Sequence, residues 1–175
     1  LEEFDQHTLL DPLTGARNRR SAEQVITQKL ADLQRNTGRF GICLLDIDDF
    51  KQVNDRFGNE AGDLVLKTVA RSIMGTVRAH DLVVRWGGEE FLIILAQKRD
   101  SDLKTVAERI RKIVETSTVE IGSKPIHVTV SLGVTTAQPT DTIESLFTRV
   151  DSLMLLSKNR GRNHTTYDEV VSAYK

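Results

Sequence analysis

Apolar residues recur along this chain in two different periods, and the switches between them mark a series of helices and strands. Across residues 20–36, Val25, Ile26, Leu30 and Leu33 fall at roughly helical spacing, and Gly38 suits a stop. Residues 40–47 form a mostly apolar run that predicts a buried strand. Helical period returns over 63–77 through Leu66, Val69, Ile73 and Val77. Two short apolar runs, 82–86 and 90–96, flank Gly87-Gly88, which predicts a hairpin whose tight turn uses positive φ. Leu103, Val106, Ile110 and Ile113 predict a further helix. Ile126, Val128, Val130, Leu132 and Val134 alternate strictly, the period of a half-buried strand. Asp141 is placed to cap a last helix through Ile143, Leu146, Val150 and Leu153, Gly161 to end it, and a short strand follows near Thr165.

The predicted order is α-β-α-β-β-α-β-α-β. Its middle is the β-α-β-β-α-β unit of ferredoxin-like α+β folds, with helices on one face of an antiparallel sheet. Connections are short, no repeat or low-complexity tract intervenes, and 175 residues fit one domain. The opening Leu1-Glu2-Glu3-Phe4 has no initiator Met and reads as part of something longer. Residues 1–10 read as the end of an incoming linker helix, and 11–175 as the domain.

Composition narrows the function. Hydrophobic residues at 39% and charged residues at 28% are ordinary for a soluble domain. A formal net charge of -1 argues against bulk binding to nucleic acid or anionic membrane. No apolar run approaches the roughly 18 residues that span a bilayer, and no signal peptide opens the chain, so a cytoplasmic setting is expected. The single Cys43 excludes an internal disulfide and reads as a packed thiol.

The charge is nevertheless segregated. Residues 41–63 hold six acids and two bases, whereas 150–164 hold three bases and one acid. Three clusters follow from this. Asp46-Ile47-Asp48-Asp49-Phe50-Lys51 closes the first long strand, and alternation puts Asp46 and Asp48 on one face. Their repulsion is relieved either by solvent or by a hard cation such as Mg²⁺ or Ca²⁺. Gly87-Gly88-Glu89-Glu90-Phe91 occupies the hairpin and is either a turn with exposed acids or a partner of Asp46 on a shared metal. Lys158-Asn159-Arg160-Gly161-Arg162-Asn163 ends the last helix, where cations complement the helix dipole or bind phosphate. No phosphate-binding Gly-x-x-x-x-Gly-Lys loop, metalloprotease histidine spacing or nucleophile elbow is present.

At these residues the chain resembles the GGDEF domains, the diguanylate cyclase family. The resemblance covers nearly the whole length. It runs through Asp11-Pro12-Leu13-Thr14-Gly15 with Asn18-Arg19-Arg20, Asp46-Ile47-Asp48 with Phe50-Lys51, Asn54-Asp55, Phe57-Gly58 and Gly62-Asp63. It continues through Gly87-Gly88-Glu89-Glu90-Phe91, with Glu as a family variant at the third position, then Ser131-Leu132-Gly133-Val134, Lys158 and Gly161-Arg162-Asn163.

The resemblance implies a palm-like nucleotide cyclase fold that condenses two GTP into the bacterial second messenger cyclic di-GMP, releasing two pyrophosphates. By that resemblance Asp46, the Ile47 carbonyl and Glu89 would hold Mg²⁺, with Mn²⁺ as an alternative. Glu90 would help to hold that ion, Glu89 would also assist deprotonation of the 3′-hydroxyl, and Lys51 would stabilise phosphate charge. Backbone amides at Asp49 and Phe50, with Lys158 and Arg162, would hold the β- and γ-phosphates. Asn54 and Asp63 would read guanine, and Asn59 would lie at the ribose or base. Asp63 also argues against the family branch that accepts adenine, which tends to carry Ser there. Arg78-Ala79-His80-Asp81 fits the family's Arg-x-x-Asp product-inhibition motif, completed by Arg109; the alternative is a solvated helix end.

The family also implies a homodimer with facing active sites and an upstream sensory or dimerisation module. Asn59 stands where the family often has His, Ala16 where it usually has Leu, and Leu155 replaces a usual Tyr, read as a packing change. Two other readings compete with the cyclase. One is a silent domain that senses GTP or cyclic di-GMP; the other is a Mg²⁺-dependent phosphohydrolase using the same acids.

Overall fold

A computed structural model describes residues 8–96 and 99–168. Its elements in chain order are β1 (Arg17–Asn18), α1 (Arg19–Gln34), β2 (Phe40–Ile47), α2 (Phe50–Phe57), α3 (Asn59–Met74), β3 (Leu82–Arg85) and β4 (Glu90–Ala96). Then follow α4 (Asp100–Thr116), β5 (Val119–Ile121), β6 (Lys124–Ile126), β7 (Val130–Thr136), α5 (Ile143–Asn159) and β8 (Thr165–Tyr167).

The main sheet runs β1-β3-β4-β2-β7-β8. Its four inner strands pair antiparallel, while β1 and β8 add parallel edges. The β2-α3-β3-β4-α4-β7 unit gives the ferredoxin-like order. Its two helices share one face, and α1 and α5 cover the other, so helices surround the sheet on both sides. Cys43, Leu45 and Ile47 point into the core under α2, α3 and α4, whereas Ile42 and Leu44 point into a second core under α1 and α5. A strand buried on both sides needs apolar residues at consecutive positions, which is why β2 lacks alternation. Cys43 is fully buried there, and burial pushes its thiol far above the ordinary range.

Several local expectations change. Gly38 does not end α1; Asn36 takes the left-handed conformation (φ 57°) just beyond it. The helix expected over 63–77 runs Asn59–Met74, and a separate short α2 precedes it, with Gly58 (φ 87°) between the two. On α4, Ile113 faces solvent, and Ala107 and Val114 complete the buried stripe. The alternating run from Ile126 to Val134 is not one strand: it crosses the end of β6, a connection and β7, while all five apolar residues keep their facing into one core. Thr142, not Asp141, caps α5, accepting from the Ser145 amide at 3.1 Å. Leu155 is 49% exposed, so its replacement of Tyr is no packing change, whereas Ala16 is buried. The incoming segment 1–7 lies outside the described residues; Leu10 forms an antiparallel bridge with Arg17.

Candidate active site

The acidic and basic clusters meet at one end of the sheet, where β2 stops, the β3–β4 hairpin turns and α5 ends. Asp46 is the last residue of β2 on the α1/α5 side, and the register sets it opposite Glu90 on β4 and Ser131 on β7. The hairpin tip is tied to β2 by the Ile47 amide, which donates to the Glu89 carbonyl at 3.2 Å. The hairpin forms as expected, but neither Gly87 nor Gly88 has positive φ. The turn is wider than a two-residue one: the amides of Trp86 and Gly87 both donate to the Glu90 carbonyl, at 2.8 and 3.3 Å. A Cβ on Gly88 would meet nothing within 4 Å, so the tip is open on that side.

Side chains around the tip brace it. Arg85 donates from Nη2 to the Gly88 carbonyl at 3.0 Å and pairs with Asp11 at 3.3 Å. Trp86 stacks on Phe147 of α5 with ring centroids 4.3 Å apart, and the Arg19 guanidinium lies over the Trp86 ring at 4.3 Å from its centroid.

Lys158, on the last turn of α5, reaches back across the sheet end. Its ammonium lies 2.6 Å from Asp46 and 2.8 Å from Asp48. Burial alone would lower the Lys158 pKa, but its bonds to the two carboxylates hold it above the ordinary value of 10.5. Asp46 titrates above its ordinary 3.8, because burial, Glu89 and Asp48 together outweigh the lysine. Glu90 is likewise raised, by burial first and then by Asp46, Asp151 and Glu89. Asp48 goes the other way: it is buried, yet hydrogen bonds from Lys158, Thr129, Ser131 and the Asn163 amide hold its carboxyl below 3.8.

The repulsion expected among Asp46, Asp48 and Asp49 is therefore partly relieved by the protein's own cations. Arg162 pairs with Asp49 at 3.4 Å, both half-exposed. Asp49 itself is left-handed (φ 55°) and opens α2, whose first amides have no acceptor within the helix. Lys51 is exposed one residue into α2. Asn54 on α2 lies against Gly62 on α3, where any Cβ would collide with its Oδ1, so Gly62 permits the close approach of the two helices there; Asp63, the next residue, is exposed. Asn59 is exposed on the first turn of α3. Among the described residues no three His, Cys, Asp or Glu side chains form a ready metal cluster. The candidate donors are two carboxylates and a main-chain carbonyl.

Arg78, Asp81 and Arg109 lie elsewhere and do come together. They line one cavity of about 570 Å³ with Lys29, His80 and Asp102. Asp81 is buried, accepting from the amides of Arg78 (3.1 Å) and Ala96 (3.2 Å), which fixes the segment that carries Arg78.

A family model described as "Diguanylate cyclase, GGDEF domain" matches residues 8–164. The chain belongs to the GGDEF family. Diguanylate cyclase DgcP of Pseudomonas aeruginosa is 34% identical over 163 residues, which are 93% of this GGDEF chain and 24% of that protein. Response regulator PleD of Caulobacter vibrioides is 41% identical over 160 residues, 87% of this chain and 34% of PleD. The chain thus spans about a quarter to a third of these curated relatives. Among solved structures, the cyclase SiaD of P. aeruginosa, in complex with its activator SiaC, matches with a TM-score of 0.89 and 38% identity. That match covers 92% of this chain and 62% of SiaD. The GGDEF domain of DgcB from Caulobacter crescentus, in complex with c-di-GMP, gives 0.88 at 30% identity, covering 92% and 93% of the two chains. The α+β palm-like architecture is therefore that of GGDEF cyclase domains.

The motifs of this GGDEF domain showed where acids gather but not how each is used. Asp48 looked like one more member of a cation-binding trio, and its engagement by four protein donors was not foreseen. Nor were the bracing roles of Arg85, Trp86 and Phe147. No helix among the described residues is long and apolar enough to cross a membrane.

Proposed function

We propose that this domain is a diguanylate cyclase, condensing two GTP into cyclic di-GMP and two pyrophosphates. The observation that carries the reading is the meeting of Asp46, Glu89 and Glu90 with Lys158 at one sheet end. In each half-reaction a 3′-oxygen bonds to the α-phosphorus of the facing GTP, the bond from that phosphorus to the α,β-bridging oxygen breaks, and pyrophosphate leaves. The hydroxyl proton passes to Glu89 and on to solvent.

The donor set fits a hard divalent ion, since every donor is oxygen and the raised Asp46 and Glu90 mark an excess of buried negative charge. Asp46, Glu89 and the Ile47 carbonyl would hold Mg²⁺, or Mn²⁺ in its place. When bound, that ion supplies positive charge to the phosphate oxygens and makes the hydroxyl more acidic. The protein's own part is positioning and charge. Amides of Asp49 and Phe50 at the start of α2 would cradle the β- and γ-phosphates. Lys51, Lys158 and Arg162 would neutralise them, with Arg162 turning from Asp49 to do so. Asn54 and Asp63 would pair with the guanine edge, Asp63 accepting from N1–H and the 2-amino group, which adenine cannot offer. Asn59 would lie by the ribose or base.

One domain would hold one GTP, so turnover needs two domains face to face as a homodimer. The cavity holding Arg78, Asp81 and Arg109 would bind the product and inhibit, its arginines gripping the product's phosphates. The greater length of the relatives supports an upstream sensory or dimerisation module, and a GTP substrate supports a cytoplasmic site of action.

Incubating the chain with GTP and Mg²⁺ and separating the products by chromatography tests the reading. Cyclic di-GMP is expected; GTP bound but unconverted at high protein concentration would leave a sensor module instead, and hydrolysis to GDP or GMP a phosphohydrolase. Sizing with and without cyclic di-GMP tests assembly and the inhibitory cavity together.

A further inference from the structure

Asp48 is 4% exposed, and both its oxygens are committed to protein donors. Oδ1 accepts from Ser131 Oγ at 2.7 Å and Lys158 Nζ at 2.8 Å. Oδ2 accepts from Thr129 Oγ1 at 2.7 Å and the Asn163 amide at 2.9 Å. The donors come from two regions far apart in sequence: Thr129 and Ser131 at the start of β7, and Lys158 and Asn163 in the last turn of α5 and the turn beyond it. That turn is unusual in itself, with Arg162 (φ 66°) and Asn163 (φ 45°) both left-handed. The residue after Asp48 is Asp49, which opens α2 and pairs with Arg162. One buried carboxylate thus joins the start of α2 to the end of α5.

A carboxylate is the side chain suited to this node, because only its two oxygens can accept from four donors without presenting a hydrogen of their own. Neutral Asn would accept through one oxygen and turn its NH₂ towards other donors, leaving buried groups unpaired.

We infer that Asp48 is a positioning residue for nucleotide binding: it fixes Lys158 and the turn bearing Arg162 at the spacing that grips the triphosphate. Asp48 itself touches neither substrate nor metal. The inference rests on the cyclase reading for the identity of the ligand, and the test separates the two.

Asp48→Asn is expected to raise the KM for GTP about tenfold and to weaken inhibition by pyrophosphate by a similar factor, while kcat falls less than about threefold. In a double-mutant cycle with Lys158→Met, the effects on KM should be far from multiplicative, because the first substitution acts largely through the second residue. Unchanged KM with a lowered melting temperature, or effects that multiply, would overturn the inference. Should Asp48→Asn fail to fold, Thr129→Val and Ser131→Ala each remove one donor to Asp48 and leave Lys158 intact. Each is expected to raise KM about twofold to threefold, and no change in either overturns the inference. Calorimetric titration of GTP with Ca²⁺ in place of Mg²⁺ reads affinity without turnover. An unmoved affinity in Asp48→Asn sinks the positioning role, whereas GTP binding by the unmutated chain with no cyclic di-GMP formed once Mg²⁺ is supplied sinks the cyclase reading alone.

Discussion

Two residues apart on one side of the chain, Asp46 and Asp48 share the Lys158 ammonium at 2.6 and 2.8 Å, yet their carboxyls shift in opposite directions. The difference lies in the other donors. Asp48 has three more, while Asp46 has Glu89 and Asp48 near it and Glu90 opposite, so charge at Asp46 stays costly even with the lysine beside it. Glu90 shares that condition, which suits a group that must take up or release a proton. Replacing Glu89 or Glu90 with Gln should lower turnover by at least about a hundredfold. The melting temperature should hold, since neither carboxylate is a buried anchor; product chromatography with a thermal melt checks both. Acids clustered at a strand end are visible in sequence as neighbours. The engagement of Asp48 is not, because its partners lie 81 to 115 positions away and carry no local pattern.

The elements that were legible are those with a long buried stripe, such as α3 with Ala61, Val65, Val69 and Ile73. α2 escaped because Val53 is its only buried residue, and β5 and β6 because three residues each show no period. Close approach, too, is silent until the fold is known. A Cβ on Gly133 of β7 would fall 2.5 Å from the Met154 amide nitrogen and 2.9 Å from Leu153 Cβ, so backbone would have to move. Gly133→Ala should therefore destabilise by about 3 kcal/mol in a denaturant melt and push α5 off the sheet. Because α5 carries Lys158, GTP affinity should fall with it. At the other end of α5, Arg149 clamps Asp141 at 2.6 and 2.9 Å. Asp141 is buried, and bonds from Arg149, Gln138 and Ser145 overcome that burial and hold its carboxyl below 3.8. A lowered carboxyl takes up fewer protons folded than unfolded, so its contribution is full above pH 4 and lost as pH falls further. Asp141→Asn should cost about 2 kcal/mol near neutral pH and flatten the acid side of the stability curve, read by melts across pH 2–7.

For the whole molecule, the near-zero net charge conceals an acidic segment and a basic segment that meet only on folding, the rest of the surface making up the balance. On the proposed reading one such site would hold one nucleotide, so two molecules would have to meet for a two-nucleotide product. The rate per mole of protein should therefore rise with protein concentration; a flat rate across a hundredfold range would count against facing sites. The fold class and the ferredoxin-like unit were readable because the β-α-β-β-α-β order admits few topologies. The helices of the second layer, α1 and α5, lie outside that unit and were readable from their own apolar spacing; the core they share against β2 and β4 was not.

The sheet closes with β1 at one edge and β8 at the other, strands of two and three residues. Edges that short give little template for another chain to add a strand. Two copies of the chain would then be expected to meet through side chains rather than by adding strands to each other's sheets. For the proposed cyclase, such edges would leave the pairing of copies to whatever holds them near each other, and would disfavour a permanent strand-to-strand aggregate.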